Sequence, residues 1–286
     1  MKVGRSPEWV AYGLIAPSVV FLALLFLWPL TETALMAFRE PGRGWTAVHL
    51  RKMIGDLNFT VSLKNTLLLV AAVVPVQLAL ALGMASLLDR IPRGRSVFLY
   101  IWTVSLGISD LAAGLAWLSI LGDRGYFNTI LHMAGIVDQP VNWLSYRHPL
   151  ALFLCIFIAE VWRATAIVLV IVVAGWQLIP REYGEAAEVL GASPWQKFRR
   201  VTLPLLKPTV QSALILRTVL AFEVFAVVYA LAGRDFPVLV GEAYNWQGAY
   251  QNTHVASAYA LFILTISIAA TFVYLKALRV RRETLS

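Results

Sequence analysis

Six apolar runs, each about 20 residues long and each ended by a charged or proline-containing segment, constrain this chain more than anything else in it. A run of that length is long enough as a helix to cross a hydrocarbon core. Inside a bilayer only helices and closed barrels satisfy their own backbone. The expectation is therefore an all-α polytopic membrane protein with six transmembrane helices, near residues 11–31, 67–88, 97–121, 150–176, 210–231 and 255–275, forming a single domain over residues 1–286. The first run follows Lys2 and Arg5 as a cleavable leader would. It exceeds the usual apolar core of about 7–15 residues and contains Pro17 and Pro29, so it reads as a retained span. With 59% hydrophobic and 14% charged residues, a soluble globule is excluded.

The net charge of +8 does not point to nucleic acid, because the basic residues fall in the gaps between apolar runs rather than on one patch. They are unequal between the two sides. The N-terminus, the turn at 89–95, the segment at 178–207 and the tail with Lys276, Arg279, Arg281 and Arg282 hold 14 Lys and Arg, against eight in the loops at 38–64, 122–148 and 233–253. By the positive-inside rule both termini and the 178–207 segment are expected in the cytoplasm, in a cell (inner or plasma) membrane. Trp102, Trp143, Trp176, Trp195 and Trp246 lie near span ends, as an interfacial belt requires.

Cys155 is the single cysteine, so no disulfide framework forms within the chain. His49, His132, His148 and His254 have no metal-ligand spacing and read as solvated loop or helix-end residues. No G-x-x-x-x-G-K-[ST] and no G-x-S-x-G occurs. The chain is thus expected to be no enzyme and to hold no cofactor or metal of its own; energy must come from a partner.

The longest polar stretch, from Pro180 to Pro208, reads as two short helices joined by a glycine elbow. Tyr183, Ala186, Ala187 and Leu190 recur at helical spacing and form one apolar face, while Glu182, Glu185 and Glu188 gather on another. Gly191 ends the first helix, at a place expected to need a positive φ and to leave little room for a side chain. Ser193-Pro194-Trp195-Gln196 then provides an N-cap, a first-turn proline and a capping-box partner. Pro204 and Pro208 are expected to interrupt the second helix.

Glu185-Ala186-Ala187, Gly191 after three residues and Val201-Thr202-Leu203-Pro204 after nine more resemble the EAA loop of the membrane subunits of binding-protein-dependent ABC importers. Val201 stands where that pattern has isoleucine. The resemblance implies a type I permease fold and a coupling helix, over Glu185 to Gly191 with Tyr183 and Leu190, that docks on an ATPase subunit. It also implies the remaining partners: a second, homologous permease chain, two ATPase subunits and an extracytoplasmic solute-binding protein.

Asp110, Glu160, Arg163, Arg217 and Glu223 fall inside apolar runs, where an ionisable group costs about 2.5–3.5 kcal/mol on insertion scales. Counting 1.5 Å per residue puts Glu160 ~16 Å below one face and Arg217 ~14 Å above the other, the same depth in a core of ~30 Å. A Glu160–Arg217 pair is one arrangement; a Glu160–Arg163 pair one helical turn apart is another. Alternatively the belt lines a solute path, with Glu160 and Glu223 accepting from sugar hydroxyls and Trp162 and Phe222 facing the sugar ring. Ala221-Phe222-Glu223-Val224-Phe225 and the position of Trp162 resemble the carbohydrate, maltose-permease-like branch of these permeases. The glycine-rich turn of that branch is reduced here to Ala232-Gly233-Arg234-Asp235. The resemblance implies ABC import of a mono- or oligosaccharide by alternating access. A glycerol phosphate or a polyamine is the alternative within the class; a secondary transporter would call for an internal repeat, which is not found.

Overall fold

The structure is a computed structural model that describes residues 8–40, 42, 44–91 and 93–278. Lys2, Arg5, Arg43, Arg279, Arg281 and Arg282, which enter the charge asymmetry, lie outside the described residues. In chain order the helices are α1 (Glu8–Leu22), α2 (Trp28–Phe38), α3 (Val48–Ile54), α4 (Phe59–Arg90), α5 (Arg95–Thr103), α6 (Asp110–Leu121) and α7 (Tyr126–Met133). They continue as α8 (Pro149–Gln177), α9 (Arg181–Val189), α10 (Pro194–Lys197), α11 (Leu203–Leu205), α12 (Lys207–Phe222), α13 (Ala226–Ala232), α14 (Leu239–Gly248) and α15 (Thr253–Ala277). Among the described residues the strands are a single two-residue hairpin, with Arg39 opposite Trp45 and Glu40 opposite Gly44.

Four stretches, Tyr12–Phe38, Phe59–Arg90, Pro149–Gln177 and Thr253–Ala277, are long and apolar enough to cross a membrane. Two bent pairs, Arg95–Gly107 with Asp110–Met133 and Pro194–Leu205 with Lys207–Phe222, bring the number to six if each is one span. The third and fifth expected spans are therefore not straight. The third turns by 100° where Ile108 and Ser109 are extended, and the Ser109 hydroxyl accepts the Ala112 N–H at 3.2 Å, starting a new helix inside an apolar run. The fifth stops at Phe222, is irregular over residues 223–225 and resumes at Ala226. Each expected outer loop contains a short helix: α3, α7 and α14.

Two compact units divide the chain: residues 1–56 with 243–262, and residues 57–242 with 263–286. In the first, His49 and His254 stack with ring centroids 4.7 Å apart, and His254 Nδ1 lies 2.8 Å from the Met36 carbonyl. His49 is buried, which corrects its reading as a solvated loop residue; histidines so far apart in sequence give no local signal of meeting. Asp56 accepts hydrogen bonds from Trp246 Nε1 at 2.6 Å and the Tyr259 hydroxyl at 3.1 Å, while the Lys52 ammonium sits over the Trp246 ring at 5.1 Å.

In the second unit α8 is central. One core joins Leu69 and Val73 of α4, Ile156 and Ala159 of α8, and Val227 and Leu231 of α13. Another joins Ala81 and Ala85 of α4, Leu169 and Val172 of α8, and Ala213 of α12. Lipid is as apolar as leucine, so helices gain little by hiding apolar surface from it; close contact between small residues holds them instead. Gly114 of α6 is the tightest such place facing α13: a Cβ there would sit 2.6 Å from the Ala230 Cβ and 3.1 Å from the Val227 Cα.

Gly114→Ala should therefore separate α6 from α13 and destabilise the fold by about 1–3 kcal/mol, read as a lower thermal midpoint in detergent. Adding Ala230→Gly should recover part of the loss. An unchanged midpoint in the single variant would refute this packing.

Candidate functional site

The loop that follows α8 folds as its sequence dictates. Residues Arg181–Val189 form a helix, and Gly191 behind it adopts φ 78°. Its N–H donates to the Glu188 carbonyl at 2.9 Å and the Ala192 N–H to the Ala187 carbonyl at 2.9 Å, the paired bonds of a Schellman ending. A Cβ on Gly191 would meet nothing within 4 Å, so the expected lack of room is corrected: the left-handed backbone, not crowding, calls for glycine. The capping box closes at Ser193, whose Oγ accepts the Gln196 N–H at 3.3 Å while Gln196 Oε1 accepts the Ser193 N–H at 2.8 Å. Pro204 and Pro208 do not stop the chain from coiling. Pro204 lies just past a π-helical turn over Phe198–Thr202, Pro208 lies in the first turn of α12, where a missing N–H is harmless, and the path bends by 70° between them.

The helical stripe divides in two. Tyr183 and Leu190 are exposed at 54% and 86%, with Ala186 exposed beside them, whereas Ala187 is buried at 9% and faces its own chain. Glu185 is exposed, while Glu188 reaches across the elbow to Lys197 at 2.7 Å. The stem of Lys197 lies where a Cβ on Gly184 would be, 2.7 Å from its Cε. The two short helices are thus clasped on one side and open on the other.

Within the spans four charges and one amide form a ladder. Arg163 Nη1 donates to Asp110 Oδ1 at 2.6 Å, and Arg163 Nη2 and Nε donate to the two Glu160 oxygens at 2.9 and 3.2 Å. Arg217 Nη2 donates to Glu160 Oε1 at 2.7 Å, and Arg217 Nε donates to Gln77 Oε1. Gln77 Nε2 in turn donates to the Glu160 backbone carbonyl at 2.9 Å. Both arrangements of Glu160 expected from depth and spacing coexist, and the charges cancel. Arg217 Nη1 is buried and without an acceptor among the described residues.

The ladder runs from sealed to open. Arg217 and Glu160 are 1% and 2% exposed, whereas the Asp110 side chain is 52% exposed. Trp162 is partly open and meets Trp117 edge-on, ring centroids 6.1 Å apart. Of the candidate path residues, Phe222 is buried and Glu223 is exposed in the break between α12 and α13. Neither Gln77, noted only as a polar residue inside the second span, nor Trp117 stands among the site residues expected from the sequence. A lone amide beside Pro75 in an apolar run was the available signal for the first; a tryptophan two turns beyond Asp110, on one helix face, was the signal for the second.

Because Glu160 serves both guanidinium groups, Glu160→Gln should cost more than any other single change in the ladder, about 3–5 kcal/mol. Asp110→Asn should cost at most ~1 kcal/mol, its side chain being half open. Thermal midpoints of the two variants in the same detergent check the order, which the reverse ranking would contradict.

Residues 80–279 match the family described as binding-protein-dependent transport system inner membrane component. The trehalose/maltose transport system permease protein MalF of Thermococcus litoralis is 35% identical over 218 residues, 73% of this chain and 71% of that protein. The sn-glycerol-3-phosphate transport system permease protein UgpA of Brucella abortus is 29% identical over 94% of each chain. In three dimensions the chain resembles one from a bacterial ABC transporter that imports the acidic polysaccharide alginate, with a TM-score of 0.82, 20% identity and coverage of 95% and 96%. With that family model covering residues 80–279 and a relative 35% identical over 73% of its length, the chain belongs to the family of inner membrane components of binding-protein-dependent transport systems.

Proposed function

We propose that this chain is one of two permease subunits of an ABC importer that moves a mono- or oligosaccharide inward by alternating access. The observation that carries the coupling role is the clasped elbow: a short helix held by the Schellman ending at Gly191 and the Glu188–Lys197 pair, with Tyr183, Ala186 and Leu190 turned outward. Such a rigid, outward-facing apolar ridge suits a groove on an ATPase subunit. Two ATPase subunits, a second homologous permease and an extracytoplasmic solute-binding protein complete the assembly in this reading. The loop and both termini lie in the cytoplasm, and the chain itself binds no ATP and needs no metal.

The sugar reading draws on a relative named for trehalose and maltose and on the charge balance of the spans. Arg163 and Arg217 are each engaged by carboxylates, so neither stands free for an anionic solute. Asp110, Trp162 and Glu223 remain open to a polyhydroxylated solute; Glu160 and Arg217 hold the helices behind them, and Phe222 packs inside.

The test is uptake by the assembled complex in liposomes supplied with internal ATP. Labelled trehalose or maltose should enter; glycerol 3-phosphate, for which another relative is named, should not, and entry of glycerol 3-phosphate in place of the sugars would overturn the sugar reading. Leu190→Arg should leave the chain in the membrane, because it touches no span, and yet abolish transport and solute-stimulated ATP hydrolysis. Normal coupling in that variant would remove the coupling role from the α9 ridge.

A further inference from the structure

At the coupling-loop end of the second unit, a cavity of about 690 Å³ lies between the ends of α4 and α8, the start of α5, and α9. Its walls carry the cations Arg90, Arg95, Arg181 and Lys197 and the anions Asp89, Glu185 and Glu188. Lys197 and Glu188 neutralise each other at 2.7 Å. That leaves three guanidinium groups facing two carboxylates, and among the described residues none of these five forms an ion pair. The cavity therefore holds one net positive charge without a partner.

Arg95 is the least satisfied of the group. Its Nε is buried and has no hydrogen-bond acceptor among the described residues. It is also the first residue of α5, where the positive end of the helix dipole disfavours a cation, and no side chain caps that end. A negative group in the cavity would satisfy both the guanidinium and the helix end. One side of the space is aromatic: Trp176, at the end of a membrane span, lines it and stacks on Phe198 at 6.1 Å.

We propose that this cavity binds a phosphate group carrying a single negative charge at the membrane boundary, the chemistry of an anionic lipid headgroup or of a free phosphate. One such charge balances the walls. Basic pockets between helix ends at a membrane surface hold phospholipid headgroups, each Lys or Arg contributing about 1 kcal/mol. The position gives occupancy a consequence, since Lys197 and Glu188, the clasp of the elbow, form part of the wall. A bound phosphate would brace α9 against the ends of α4 and α8 and so set how firmly the outward ridge is held.

The experiment uses the full chain in nanodiscs of phosphatidylcholine, with or without phosphatidylglycerol, each lipid brominated in turn. The difference in tryptophan quenching between the wild type and Trp176→Phe isolates the signal of Trp176. Brominated phosphatidylglycerol should quench Trp176 more strongly than brominated phosphatidylcholine at the same content. Arg95→Gln and Arg181→Gln should each weaken that preference about fivefold, which is about 1 kcal/mol per basic residue. Arg95→Lys should retain most of it, and Arg199→Gln, outside the cavity, should retain all of it. Inorganic phosphate separates the sources: if it displaces the quenching lipid, the site takes phosphate from either phase, and if it does not while the lipid preference holds, the occupant is the headgroup. Equal quenching by both lipids with no response to phosphate would overturn the proposal, as would a preference that survives both glutamine variants.

Discussion

A carboxylate sealed from water in the middle of a membrane is tolerable only where cations and donors surround it, and Glu160 of α8 is such a carboxylate. Two guanidinium groups converge on its oxygens, one from its own helix and one from α12, while Gln77 of α4 binds its backbone carbonyl and Arg217 together. Asp110 extends the set to α6. Four helices thereby meet at one electrostatic node. The node fixes their relative rotation more sharply than packing does, because a slipped helix would leave an ion unpaired in hydrocarbon.

Much of this was legible in the sequence, and the reason is local. Apolar length marks a span whatever surrounds it, and the turn chemistry of Gly191 and Ser193 is written in neighbouring residues. Depth made the meeting of Glu160 with Arg217 one of two arrangements open to that carboxylate, since a bilayer converts sequence position into height. What failed depended on rotation or on distant partners. Ala187 shares a helical stripe with Tyr183 and Leu190, but the clasp of Lys197 on Gly184 turns that side of α9 inward. His49 and His254 meet only through the fold of the first unit.

The broken spans were hidden for a different reason. Hydropathy averages over a window, and a turn made of Gly107, Ile108 and Ser109 is as apolar as the helix it interrupts. Ser109 is a weak clue, because a hydroxyl inside a span can bond its own helix as readily as cap a new one. The break matters to the site nonetheless. It makes Asp110 the first residue of α6, so the carboxylate stands at the favourable end of the helix dipole as well as beside Arg163. Two physical effects therefore stabilise its charge where a mid-helix position would have supplied one.

The α9 elbow lies between the two helices that the node ties together, and this joins the local facts. The N-terminal part of α12 approaches α8 so closely that a Cβ on Gly175 would collide with Thr209, near the loop; deeper in, Glu160 and Arg217 bind the same two helices at 2.7 Å. A pair tied at both levels cannot slide one helix past the other without breaking an ion pair or opening a gap between glycine and threonine. Were the loop between them displaced, α8 and α12 would follow as a unit. The irregular residues 223–225 beyond α12 and the turn before α6 interrupt the helices on either side of that unit, and there bending costs few helical hydrogen bonds. Stiffness where the loop attaches and weakness farther along the spans are what a helix pair needs if force applied at one end is to reorient it rather than deform it.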